Sequence, residues 1–171
     1  MRAVTPLAKH SPGYRQVSRA LLLGGFSTFW LLYWPQPLLP HFARDLQLSP
    51  AQSSVILSAA TAALGLALIP ASVLADRFGR RPVMVASLFI AALLTLATAW
   101  AQNPEQLLVL RALAGVALAG LPATAMAYAG EEVELNAVGS VMGIYVAGTA
   151  LGGMSGRLAT ALVAEHWPWS D

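Results

Sequence analysis

Five long stretches of this chain carry no charged side chain, and that absence decides what it can become. Residues 20–40 make a run of 21, 46–75 of 30, 82–104 of 23, 112–130 of 19 and 135–156 of 22. A helix needs about 20 predominantly apolar residues to cross about 30 Å of hydrocarbon, so each run is long enough to span a bilayer. A soluble domain carries roughly a quarter of its residues charged. Here 11% of 171 residues are charged, too few to coat a water-facing surface. The expected fold is therefore an all-α membrane protein. About five transmembrane helices are expected near 20–40, 52–75, 82–101, 105–129 and 137–162, flanked by a basic tail over 1–19 and a short tail over 165–171. The absence of cysteine excludes a disulfide framework. Basic residues occur in small groups between uncharged runs rather than as a stripe, which argues against nucleic acid as a partner and for the lipid bilayer.

Topology follows from where lysine and arginine fall. Arg2, Lys9, Arg15 and Arg19 precede the first run, and Arg77, Arg80 and Arg81 lie between the second and third. The intervening outer link has only Arg44, and the link around Asn103 has none. The positive-inside rule then expects a cytoplasmic N-terminus, a cytoplasmic 76–81 link and a multi-pass protein of the inner membrane. The first run is too long for the apolar core of a signal peptide and lacks a small-residue cleavage site, so it reads as an uncleaved helix.

The link at 76–81 has its charges placed against their helix dipoles. Asp76 sits at a helix C-terminus and Arg80 and Arg81 at a helix N-terminus, each unfavourable by about 0.3–1 kcal/mol unless a partner compensates. Glu131 and Glu132 stand in the same relation to the end of the fourth helix. Pairing Arg80 and Arg81 with Glu131 and Glu132 would cancel both, clamping three helices together. The alternative is that these charges simply sit in water and set topology. Gly79 allows a tight reversal, because without a Cβ it can take positive φ.

The run Asp76-Arg77-Phe78-Gly79-Arg80-Arg81 resembles the signature that the major facilitator superfamily carries between its second and third helices. That pattern opens with glycine four residues before the acid; Ser72, still small, stands there instead. The resemblance covers 19–164. It implies a secondary transporter built from two six-helix domains of paired three-helix repeats. In that family Ser72, Asp76, Arg77, Gly79, Arg80, Arg81, Glu131 and Glu132 would form a latch that holds one conformational state and breaks in the other.

Arg111 lies about six residues inside the fourth helix. A guanidinium there costs about 2.5 kcal/mol or more unless it meets a partner or a watered cavity. The resemblance implies a role in proton coupling or in shaping the cavity; the alternative is an arginine snorkelling to the outer interface. Gly115 and Gly120 follow it, and the fifth helix carries Gly148, Gly152, Gly153 and Gly156, mostly spaced by four, so that another backbone can approach closely. Drug–proton antiporters of the family have a Gly-Pro-x-x-Gly-Gly core in that helix, where this chain has Thr149 in place of the proline. Arg157, one residue past Gly156, reads as an interfacial anchor.

Three prolines, Pro35, Pro37 and Pro40, interrupt the first run, a break a membrane tolerates only where neighbours or a cavity satisfy the backbone. Tyr33 and Gln36 beside that break are the candidate substrate contacts, as the resemblance implies for the outer half of the first helix. Trp30 and Trp34 fit either there or in an aromatic belt.

No enzymatic arrangement is present in the sequence: His10, His41 and His166 have no carboxylate at ligand spacing. There is no phosphate-cradling glycine loop followed by Lys-Ser/Thr. No cofactor is expected, and energy would come from an ion gradient, of protons by the resemblance. The expected function is proton-coupled efflux of a small molecule by alternating access, with this chain as an N-terminal part stopping before a sixth helix and a second chain a possible source of the others. The different-class reading is a non-transporting subunit or adaptor, or an inactive remnant.

Overall fold

A computed structural model of the protein describes residues 6–45 and 47–165. Seven α-helices are present among them: α1 (Pro12–Tyr33), α2 (Leu39–Asp45), α3 (Pro50–Phe78), α4 (Arg80–Ala97), α5 (Pro104–Leu118), α6 (Gly120–Glu132) and α7 (Leu135–Ala164). Short 3-10 turns at Gln36–Leu38 and Thr98–Trp100 follow α1 and α4. There is no strand among the described residues, and the expected tail over 165–171 lies, except for Glu165, outside them.

Three helices start the same way, because the same local chemistry satisfies their first amides. Ser11 accepts from the Tyr14 amide and precedes Pro12; Asn103 accepts from the Gln106 amide and precedes Pro104. Ser49 and Gln52 form a reciprocal capping box ahead of Pro50. Proline at the first helical position gives up only an amide that has no partner there anyway. These caps start α1 at Pro12 rather than near residue 20, so that Arg15 and Arg19 ride on the helix instead of preceding it.

Among the described residues four helical segments are long and apolar enough to cross a membrane: Pro50–Phe78, Arg80–Trp100, Pro104–Glu132 and Leu135–Ala164. The expected first span, α1, falls outside that group. Two arginines on its first turns and the small or hydroxylic residues Ser18, Gly24, Gly25 and Thr28, all turned inward, dilute its hydropathy. It also ends at Tyr33, not at residue 40, because the Pro35 nitrogen has no hydrogen to continue the ladder. The fourth span is two helices, α5 and α6, meeting at Ala119 three residues before Pro122. Leu66 and Ile69 on α3 are 82% and 76% exposed, a face that only lipid or another apolar surface can cover.

The bundle is held by two small-residue seams. Along α1 and α7, Gly148 meets the Leu22 backbone, Gly152 the Phe26 backbone and Gly156 the Trp30 backbone, a constant four-residue step that runs the helices parallel. Gly25 answers from α1, lying against Tyr145. In the second seam Gly115 of α5 meets the Ala60 backbone of α3. Gly120 packs on Ser87 of α4, whose hydroxyl donates to the Ala117 carbonyl at the α5–α6 junction, 2.5 Å. Gly153 is different: a Cβ there would sit in ordinary contact, 3.4 Å from Tyr33 Cδ2. Gly143 faces open space.

Gly152→Ala should therefore force α1 off α7 and destabilise by about 1–3 kcal/mol, whereas Gly143→Ala should be neutral or stabilising by up to about 1 kcal/mol. Thermal unfolding of the purified chain in detergent reads both; equal melting temperatures for the two variants would remove the close-approach account.

Candidate functional site

The break after α1 leaves carbonyls that its own backbone cannot satisfy. Trp34 still donates its amide to Trp30, 3.0 Å. The next donor should be residue 35, and proline has none, so the Leu31 carbonyl loses its helical partner. Arg111 of α5 supplies the replacement: one terminal nitrogen donates to Leu31 O at 3.1 Å and the other to Leu32 O at 2.6 Å. Its side chain is fully buried, and Nε has no partner. Arg111 therefore faces neither an open cavity nor the outer interface; it caps the C-terminal end of another helix. A cation also complements the negative end of the α1 dipole. At the same end of the bundle Leu38, Phe42, Ile56 and Leu107 form an apolar cluster.

At the other end of the bundle, the link between α3 and α4 within the expected latch is one residue long. α3 continues through Asp76 and Arg77 to Phe78, α4 begins at Arg80, and Gly79 alone turns the chain, with φ +92°. A side chain there would be strained by that φ. Arg80 is the hub: Nε donates to Glu131 Oε1 of α6 at 2.8 Å, and a terminal nitrogen lies 3.6 Å from Asp76. One arginine thus offsets both misplaced carboxylates. Glu132 and Arg81, expected in the same cluster, form no ion pair among the described residues. Arg81 instead lines a crevice with Met84 and Tyr128. Arg77 turns outward over Phe78, 5.6 Å from the ring centre, and the Ser72 hydroxyl donates to its own helix at Ile69 O, 2.8 Å.

The carbonyl of Glu132 has a partner the sequence did not suggest. Leu7 donates its amide to it at 2.8 Å and accepts from the Glu134 amide at 3.2 Å, an isolated parallel bridge to Val133. Tyr14 adds a bond from its hydroxyl to Ser140 Oγ, 3.1 Å. The segment ahead of α1 is thereby strapped across the α6–α7 link, beside the carboxylate that Arg80 holds.

Tyr33 and Gln36 lie at the Arg111 end. Tyr33 packs 6.0 Å from the Phe29 ring, and the Arg157 guanidinium stacks 4.4 Å over its face. Gln36 is exposed on the 3-10 turn. Trp34, by contrast, is half-buried with its indole nitrogen enclosed.

Comparison with known proteins gives this geometry a family. The Major Facilitator Superfamily profile matches residues 21–170. The chain is 40% identical over 166 residues to the uncharacterized MFS-type transporter YybF of Bacillus subtilis, covering 97% of this chain and 41% of that protein. It is 42% identical over 164 residues to an uncharacterized transporter of Buchnera aphidicola, covering 96% and 40%. It is 38% identical over 163 residues to the inner membrane transport protein YnfM of Escherichia coli, covering 95% and 39%. The chain belongs to the major facilitator superfamily and is a multi-pass membrane protein, not an enzyme. It spans about two fifths of the length of these relatives.

Two outcomes test the site. Arg111→Leu leaves two buried carbonyls without donors and should lower stability by about 3 kcal/mol, with Arg111→Lys intermediate, read by thermal unfolding. The Arg80–Glu131 pair is far more exposed, so a double-mutant cycle with Arg80→Ala and Glu131→Ala should return a coupling of only about 0.5–1 kcal/mol. That coupling should shrink as salt is raised.

Proposed function

We propose that this chain forms part of a secondary transporter, moving a small molecule by alternating access at the expense of a proton gradient, with efflux as the direction. The observation that supports it best is the Arg80–Glu131 contact, which joins the ends of α3, α4 and α6 through one exposed charge pair across a single-glycine turn. A contact worth about 1 kcal/mol or less suits a latch that must close and open in each cycle. The partial glycine core at Gly148, Gly152 and Gly153 favours antiport.

In this reading the N-terminus and the Gly79 turn face the cytoplasm of an inner-membrane protein, as the arginine distribution suggests. Arg111 is the fixed positive charge of the coupling region. Every carboxylate between residues 20 and 164 stands at a helix end or link: Asp45, Asp76, Glu105, Glu131, Glu132 and Glu134. The group that carries the proton is therefore assigned to helices outside this chain, on the same polypeptide or a second one. Tyr33 and Gln36 contribute to the substrate path.

An affinity tag at the native N-terminus, followed in membranes of the source cell, tests this first. A membrane product more than twice 17.9 kDa is expected, and inside-out vesicles containing it should release protons when substrate is added, a response that Glu131→Gln should slow. A stable product near 17.9 kDa without proton movement would overturn the reading in favour of an adaptor, and no product at all would favour a remnant.

A further inference from the structure

Arg157 makes a contact beyond that of an interfacial anchor. It lies seven residues before the end of α7 at Ala164, about 10 Å down the helix at about 1.5 Å per residue. An anchoring arginine runs its stem along the apolar surface and places its charge among headgroups. Here the guanidinium folds back onto α1 and stacks 4.4 Å over the centre of the Tyr33 ring. Tyr33 is itself braced by Phe29, 6.0 Å away on the preceding turn. Gly153, one turn below Arg157, is buried with Tyr33 and Phe29 against it. Arg157 is exposed, and its guanidinium makes no hydrogen bond or ion pair among the described residues.

Stacking engages only the face of the guanidinium. The N–H groups lie in the guanidinium plane and have no partner among the described residues, and they form the fork that matches a carboxylate with two parallel hydrogen bonds. The contact with the ring restricts where the guanidinium sits before a ligand arrives, which reduces the entropy lost on binding. The Phe29 and Tyr33 rings beside the fork present apolar and π surface to whatever is attached to that carboxylate.

We propose that Arg157, held on Tyr33, is the carboxylate-binding group of the α1–α7 groove, and that the ligand is a small organic anion with a planar, preferably aromatic, body lying along Phe29. This deepens the transporter reading by naming its substrate class and rests on that reading only for the word substrate. Phe29 and Arg157 then join Tyr33 as specificity-determining residues.

The test is equilibrium binding to the full chain in phosphatidylcholine nanodiscs, read by fluorescence of the nearby Trp30. Sodium benzoate is the probe, benzamide its uncharged analogue and inorganic phosphate a small anion without an apolar body. Benzoate should bind saturably, and benzamide and phosphate should bind at least about tenfold more weakly, the scale of charge-assisted hydrogen bonds. Arg157→Gln should weaken benzoate about tenfold while leaving benzamide unchanged, and Arg157→Lys should fall between. Tyr33→Phe should keep the binding, and Tyr33→Leu should lose it. Circular dichroism and size-exclusion profiles identify any variant that fails to fold, and the Lys and Phe variants keep the comparison open in that case. Benzoate binding that is absent in the wild type, or equal in wild type and Arg157→Gln, overturns the proposal. So does Arg157-dependent retention of phosphatidylglycerol without benzoate binding, which would assign the guanidinium to a lipid headgroup. Because binding is read without transport, a chain that binds benzoate through Arg157 but moves nothing sinks only the transporter reading. Transport without Arg157-dependent binding sinks only this one.

Discussion

The two hydrogen bonds from Arg111 to the carbonyls of Leu31 and Leu32 are the interaction on which the remaining geometry depends. Pro35 ends α1 inside the bundle, and ending a helix there leaves acceptors that neither water nor lipid can satisfy. A neutral donor could fill one of them. A guanidinium fills two in one plane and adds the attraction of its charge for the negative end of the helix. The arrangement is reciprocal, since a buried cation without acceptors would be as unfavourable as the carbonyls without a donor. The break in α1 and the depth of Arg111 are therefore one feature, supplied by residues 76 positions apart between Pro35 and Arg111. Once that contact is made, the α1–α7 pair is registered against the α3–α5 pair, and the chain beyond Pro35 is free to turn through a 3-10 segment into α2.

Within each pair the packing is dictated by what is missing from the side chains. Lipid tails are as apolar as leucine, so burying leucine between helices in a membrane gains little. Close backbone approach gains dispersion contacts instead, and Gly148, Gly152 and Gly156 let α1 come down on α7 over three successive turns. The same logic puts Gly115 against Ala60. The bundle core is accordingly rich in alanine, with Ala60, Ala91, Ala114, Ala125, Ala129 and Ala137 fully buried. The large apolar residues, Leu66, Ile69 and Phe89 among them, point outward.

The spans were legible because charge is expensive in hydrocarbon and its absence over about 20 residues is hard to arrange by chance. Their starts were less so. Ser11-Pro12, Ser49-Pro50 and Asn103-Pro104 mark all three capped helices, yet a reading led by charge gaps passes over the first pair, because Arg15 and Arg19 come after it. The division of the fourth span at Ala119 had a signal in Gly120 and Pro122, and uniform hydropathy hid it. At the charged end the residue types were readable and the partners were not. Three acids (Asp76, Glu131 and Glu132) and three arginines (Arg77, Arg80 and Arg81) allow many pairings, and only the crossing of α4 with α6 selects Arg80 with Glu131. The bridge from Leu7 to Val133 had no signal at all, since backbone hydrogen bonds are blind to residue type. Tyr33 was legible as a residue beside the break, but Arg157 above its ring depends on the four-residue register of α1 on α7, which is a property of the packed pair.

The two ends of the bundle differ in how firmly they are held, and the difference has a direction. At the Pro35 end the ties are two charge-assisted hydrogen bonds from a buried arginine, where unmaking them leaves desolvated groups behind. At the Gly79 end the ties are exposed. Glu131 is 57% accessible and Asp76 68%, so water replaces what separation removes and salt screens the rest. The Leu7 strap belongs to the same end, and its two backbone bonds close a link rather than a core. The contacts at the Gly79 end are therefore less costly to open than those at the Arg111 end. The polar groups released at the Gly79 end meet solvent, while the Arg111 side chain is buried.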